Sequence, residues 1–224
     1  MIIYLILFAL VFILGFLSRE MDSSRGNYFR FLLLCLIALF PALRYNVGQD
    51  YDAYETIFKD LAAGQQSSIY AEPGYIFLNQ LVIKLGGSFF HVIFFMAIAS
   101  IFFAGKAIQY FCDEKYHYLA YAVLMSSTFY LIYVFSGIRQ GFCIAIFLYA
   151  LKWVSERKLI PFLLCIGFGA LFHATILSML PVFILSYFRM PFWIILIGVI
   201  GGFILASTGL PAKLFLQFTG SLTN

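Results

Sequence analysis

The side chains of this 224-residue chain that are able to do chemistry are few, and they stand among apolar neighbours. They fall into four groups. The run RYNVGQDYDAY holds Arg44, Tyr45, Gly48, Asp50, Tyr51, Asp52 and Tyr54. Glu72, Pro73, Gly74 and Tyr75 follow, with Asn79 and Gln80 a turn further on. Ser136, Gly137, Ile138, Arg139 and Gln140 form the third group, and Phe172, His173, Ala174 and Thr175 the fourth. The carboxylates and the imidazole are proton-transfer groups. The two isolated arginines offer planar forks of donors matched to a phosphate or a carboxylate. Polar groups at the lip of a membrane bundle are costly to keep, which makes them functional candidates by default.

Each group has an ordinary reading beside the chemical one. Arg44, at a helix exit, either snorkels to the interface or faces an anion. Asp50 and Asp52 form a D-x-D pair, which reads as a hard-cation site or as a solvated face. We prefer a single carboxylate, Asp50, acting as base or as the orienter of an arginine, and expect no metal. Glu72 before Pro73 is an ordinary helix opening, an acid at the positive end of the dipole. Alternatively it starts a helix that, through Asn79 and Gln80, lines a polar cavity at membrane depth. Arg139 has no basic neighbours and needs a partner: a phosphate, or an ion pair with Asp50 or Glu72. His173 is an interhelical hydrogen-bonder or a catalyst. Tyr45, Tyr51, Tyr54 and Tyr75 are interfacial or stack on sugar rings. His91 and His117 read as bland.

The elements that position these groups are apolar. A 63% hydrophobic, 11% charged composition with mean hydropathy +0.97 leaves too few polar side chains to clothe a soluble globule and implies an integral membrane protein. It excludes a disordered chain and a disulfide-stapled secreted module. The charge of +4, fourteen Lys and Arg against ten Asp and Glu, is spread thinly, so no nucleic-acid partner is expected. Cys35, Cys112, Cys143 and Cys165 show no metal or disulfide spacing and read as small buried hydrophobes. The N-terminal run lacks a basic start and a cleavage site, so it reads as a retained first helix.

Apolar segments occur at 2–17, 31–43, 74–85, 89–111, 118–135, 140–154, 159–172, 174–188 and 192–208. The spacing predicts an all-α, polytopic transmembrane helix bundle of about eight spans, a single integral membrane domain over 1–224. Basic loops stay cytoplasmic. That places Arg19, Arg25 and Arg30 inside with Lys152, Arg157 and Lys158, whereas Arg44 to Glu72, with five acids against two bases, is an external loop at 44–72. Both hold only if the segment at 74–86 is re-entrant or interfacial. The N-terminus is then outside, and Arg44, Asp50, Glu72, Arg139 and His173 come to the external face.

RYNVGQDYDAY, EPGYIFLNQL, SGIRQGFCIAI and GALFHATILSMLP, in that order between apolar helices, resemble the EpsG-like family of bacterial polysaccharide polymerases, relatives of the Wzy-type enzymes. The resemblance covers roughly residues 1 to 190. It implies a GT-C-like fold in the bacterial cytoplasmic membrane. It also implies a glycosyltransferase that joins undecaprenyl-diphosphate-linked oligosaccharide repeat units at the outer face, building exopolysaccharide, capsule or O-antigen without a cofactor. The lipid bilayer and other assembly proteins, a flippase and a chain-length regulator, are the implied partners. By position Arg44, Asp50 and Tyr54 match one family element, Glu72 to Tyr75 the next, Arg139 and Gln140 the third, and His173 the last. Asp52 lies outside the pattern, and members run longer after the region of Phe192 to Thr208, so the chain as read is expected to be truncated. On this reading Asp50, Glu72 and His173 are catalytic, Arg44 and Arg139 bind the diphosphate from one shared hollow, and Tyr51, Tyr54, Tyr75 and Gln140 contact substrate. The rival is a transporter or flippase subunit in which the same arginines attract an anionic lipid-linked saccharide without bond-making.

Overall fold

The computed structural model describes residues 2–18, 23–189 and 191–209, and among these every regular element is helical. The elements are α1 (Ile2–Ser18), α2 (Ser23–Ala42), α3 (Tyr51–Ala62), α4 (Pro73–Lys84), α5 (Phe89–Phe111), α6 (His117–Ser126), α7 (Ile138–Ser155), α8 (Leu159–Ala170), α9 (Pro181–Leu185) and α10 (Phe192–Ser207). A π-helical stretch, Phe129–Val134, continues α6, and a 3₁₀ stretch, Ala174–Met179, follows α8. The chain divides into two compact units, Met1–Phe183 and Ile184–Asn224. In the second, α10 carries exposed apolar side chains such as Phe192, Ile197 and Phe203. Arg19 and the residues beyond Gly209 lie outside the described residues.

Among the described residues, two helices are long and apolar enough to cross a bilayer, α5 with 23 residues and α7 with 18. At 1.5 Å per residue, α5 is about 34 Å long, enough for a roughly 30 Å hydrocarbon core. In lipid, helices gain little from burying apolar surface and associate through close packing and hydrogen bonds. The buried face of α5 accordingly carries small residues, Ala97, Ser100, Ala104 and Ala107, with Ser100 Oγ donating to the Met96 carbonyl at 2.7 Å. Its outward face shows Phe95 and Phe102.

The helix ends of the first unit sort into two groups. At one, Tyr130 Oη donates to the Ile37 carbonyl (2.8 Å), Asp50 N–H to Ser136 Oγ (3.4 Å) and Gly74 N–H to the Leu171 carbonyl (2.8 Å). At the other, Arg30 meets Glu114 at 3.3 Å and Tyr110 meets Ser155 at 3.4 Å. So α2, α5, α6 with its π-helical continuation, α7 and α8 alternate in direction. In contrast, α4 starts at the first end, and Phe89, which opens α5, lies 5.3 Å from Tyr51 and 6.1 Å from Phe58 of α3. The chain therefore enters and leaves α4 at the same end.

One expectation needs amending. The external loop at 44–72 is not irregular throughout, because α3 occupies 51–62. Tyr51, Tyr54, Ile57 and Phe58 bury one face of it, while Asp52, Glu55 and Lys59 carry the other. That is the three-and-four spacing of an amphipathic helix.

Candidate functional site

Glu72 is the hub. It precedes the first turn of α4 in an extended conformation and is only 4% exposed. Its carboxylate is shared by two other segments. Oε2 accepts from Arg139 Nη1 at 2.5 Å; Oε1 accepts from His173 Nδ1 at 3.0 Å and from the Ala174 N–H at 3.1 Å. The glycine of the E-P-G-Y run makes this approach possible. A Cβ on Gly74 would come within 2.8 Å of Leu171 backbone and side chain, and the Gly74 N–H itself bonds the Leu171 carbonyl. Any larger residue would push the start of α4 off the end of α8 and draw Glu72 away from His173.

A hollow of about 230 Å³ opens beside this hub, lined by Asp50, Tyr54, Arg139, Gln140 and His173 among others. Residues separated by more than a hundred positions meet there because α3, α4 and α7 all begin at this point. Helix N-termini carry exposed N–H groups and positive dipole ends, so their convergence favours an anion. Asp50 is held by its N–H to Ser136 Oγ, and its Oδ2 lies 3.9 Å from where a Cβ on Gly137 would be. The preceding turn is tight: Gly48 has φ +115°, and a Cβ there would sit 2.6 Å from the Phe135 carbonyl.

The ionic chemistry follows. Burial pushes the Glu72 carboxyl up, but the Ala174 N–H, its own backbone N–H, the Arg139 charge and His173 outweigh it and hold it below the ordinary range. A carboxylate so held is ionised and a poor base. Being acceptor-only, it requires a hydrogen on His173 Nδ1, which leaves Nε2 of the neutral ring as the proton acceptor. Arg139 lies over the rings of Tyr54 (5.3 Å) and Tyr75 (5.5 Å), and its Nε is buried without a hydrogen-bond partner. The ion pair with Glu72 thus exists, and the guanidinium still has a donor to give.

Other candidates lie elsewhere. Arg44 is not among the residues lining the hollow. It is buried, its Nη1 donates to the Val134 carbonyl at 2.7 Å, and its guanidinium lies 5.9 Å from the Phe135 ring centre. The shared hollow expected for Arg44 and Arg139 therefore holds Arg139 alone, although both act electrostatically on the Tyr75 phenol. Tyr51 packs into the core against Phe89 and does not line the hollow. Tyr75 is fully buried, 5.7 Å from Tyr54, behind the hollow's wall. Asn79 turns back on its own helix, donating to the Tyr75 carbonyl at 2.7 Å, and Gln80 is exposed, so neither lines the polar cavity expected of them. Asp52 is exposed on α3, away from the hollow that takes Asp50. Sequence reasoning missed the Ala174 N–H and Ile69, which no side-chain pattern reveals, and Ile57, toward which the tyrosine spacing of α3 pointed.

The model of the EpsG family matches residues 27–223. A search of curated proteins and a search of solved structures each found no match.

Proposed function

The chain belongs to the EpsG family, which suggests a polymerase-like role in polysaccharide biosynthesis, and from that premise we propose that it is a membrane glycosyltransferase extending a lipid-linked glycan. The donor is a glycan on a polyprenyl diphosphate, undecaprenyl in bacteria, and the acceptor is a hydroxyl of the incoming lipid-linked repeat unit. The observation that carries the reading is the hollow in which Arg139, His173 and Asp50 meet beside Glu72.

The reaction forms a bond from the acceptor oxygen to the anomeric carbon and breaks the bond from that carbon to the diphosphate. The acceptor proton passes to His173 Nε2. Glu72, bonded to Nδ1, holds the ring and stabilises the imidazolium that forms. Glu72 is thus a positioning residue, and His173 takes the role of base. Arg139, which lines the hollow from the first turn of α7, meets the charge that grows on the leaving diphosphate. Asp50, across the same hollow, faces the positive charge that develops at the sugar carbon. Tyr54 and Gln140 line the substrate's path, and Tyr75 backs Arg139. Arg44 ties the 44–50 turn to the π-helical stretch and so positions Asp50. At about 230 Å³ the hollow is smaller than the roughly 300–1,000 Å³ of drug-sized sites, so it holds one ring or the diphosphate, with the rest of the glycan outside.

We read the chain as a multi-pass protein of the cytoplasmic membrane with about eight crossings and 74–86 re-entrant; the alternation of α2, α5, α6, α7 and α8 in the first unit supports the part of that reading that they cover. The end bearing Lys152, Arg157 and Lys158 faces the cytoplasm and the hollow faces out. The test uses purified protein with synthetic polyprenyl diphosphate repeat units. Product ladders are expected with and without chelator, and no ladder from an active lipid-linked substrate would overturn the proposal.

A further inference from the structure

A second hollow, about 250 Å³, adjoins the first and shares one residue with it, Gln140. Its walls continue the two segments that carry the chemistry. On α7, Gln140, Cys143, Ile144 and Phe147 follow at the three-and-four spacing that puts side chains on one helix face. On the 3₁₀ stretch that starts directly after His173, Ile176 and Met179 are three residues apart, and at three residues per turn they eclipse. From Gln140 to Phe147 is about 10 Å along α7, so the hollow runs from the edge of the first toward membrane depth. Two polar groups of the wall are turned into the protein: the Cys143 thiol donates to the Gly169 carbonyl at 3.1 Å and Ser178 Oγ to the Thr175 carbonyl at 2.7 Å. Below Gln140 the lining is thus largely hydrocarbon. Its exposed members, Thr175 and Ser178, lie on the 3₁₀ stretch, so the opening faces sideways, out of the bundle.

A lipid-linked glycan diphosphate held at Arg139 carries a sugar on one side and a lipid on the other, and the two need different surroundings. The first hollow, with Asp50, Tyr54 and His173, suits the sugar. We propose that the second hollow takes the isoprenoid units next to the diphosphate, with Gln140 at the junction, and that the lipid enters sideways between α7 and the 3₁₀ stretch. Naming the chain polyprenyl rests on the proposed function, whereas the path of an apolar chain away from an anion at Arg139 rests on the two adjoining hollows. A lipid tail outside the protein already lies in an apolar medium, so the second hollow adds little affinity. Its effect is orientation: a pinned lipid stem fixes how the diphosphate lies, and so where the anomeric carbon stands relative to His173.

The probe is a sugar-free polyprenyl diphosphate with a photoreactive diazirine on the isoprene unit next to the diphosphate, added to the full chain in detergent, with the labelled residues read by mass spectrometry. Label is expected within 140–147 and 175–179, displaced by undecaprenyl diphosphate and not by phosphatidylglycerol. Arg139→Ala should remove it, because the anion anchors the stem. Label confined to other segments overturns the proposal. So does label that survives Arg139→Ala or yields to phosphatidylglycerol, the behaviour of an ordinary acyl-chain site. Ile144→Trp fills the hollow from α7. Ser178→Trp, at an exposed position that does not threaten folding, fills it from the 3₁₀ stretch. Each should cut the label about tenfold and slow ladder formation about tenfold, with kcat falling more than KM changes. An unchanged label or an unchanged rate in either folded variant counts against the stem lying there and overturns the proposal. Ladders with the label elsewhere would remove this path and leave the polymerase, whereas label in the second hollow without ladders would remove the polymerase and leave a lipid diphosphate site.

Discussion

Each end of the first unit presents one histidine against a polar hollow, His173 beside Arg139 and His117 beside Arg30, and the two rings are held by opposite nitrogens. His173 gives Nδ1–H to a carboxylate, Glu72 Oε1, at 3.0 Å; His117 gives Nε2–H to a backbone carbonyl, that of Cys112, also at 3.0 Å. The distance is the same and the chemistry differs. An anionic partner stabilises the ring when it gains a proton, and a neutral carbonyl does so far less. The Glu72 carboxylate thus fixes a hydrogen on Nδ1 of His173, and the Cys112 carbonyl fixes one on Nε2 of His117. The neighbouring arginines differ likewise. Arg139 is paired with a carboxylate that is 6% exposed, and Arg30 with one that is 66% exposed.

The comparison is broken most directly by exchanging the rings' fates. His173→Gln should lower ladder formation by about 10²–10⁴-fold, the usual contribution of a general base, while His117→Gln should leave it within about twofold. Comparable losses in both would remove the distinction. Arg139→Lys and Arg139→Ala should both abolish polymer with membrane insertion intact, because an ammonium replaces neither the fork nor the stacking on Tyr54 and Tyr75. Normal polymer length in either variant refutes the role of Arg139 at the diphosphate.

Gly74→Ala should cost on the order of 10²-fold in rate with substrate binding much less affected, since it displaces Glu72 from His173 by a fraction of an ångström to an ångström. A KM change alone would mean that Gly74 serves binding and not the dyad. The smallest effect is in acid. Because the Glu72 carboxyl is held low, its ionised form adds stability that is complete above the ordinary value of 4.5 and is lost as the pH falls through the lower folded-state value. Below about pH 4.5 the melting-temperature difference between wild type and Glu72→Gln should shrink as the pH falls further. A difference that keeps its size in strong acid would contradict the assignment of a carboxyl held low.

Much of the site was legible before any coordinates. The four motif groups supply Asp50, Tyr54, Glu72, Arg139, Gln140 and His173, and an isolated arginine among apolar helices already demanded a partner. Helix positions were legible too, since long apolar runs have few alternatives. Less legible was α3, because a short amphipathic helix carrying Tyr51, Asp52, Tyr54 and Glu55 in its first turns reads like a polar loop. The roles within each group were also hidden. Tyr51 and Tyr54 differ by three residues, and one faces Phe89 while the other faces the hollow.

Composition and pattern by themselves determined that the chain is a set of apolar helices with a handful of polar residues too costly to be incidental, because the tendency of a side chain to leave water is set first by its type. Tertiary structure decided which of those residues share a hollow, which carboxylate is already occupied, and which imidazole nitrogen is left open. Those depend on contacts between segments about a hundred residues apart, such as Glu72 with His173 and Arg44 with Val134, and no local spacing encodes them.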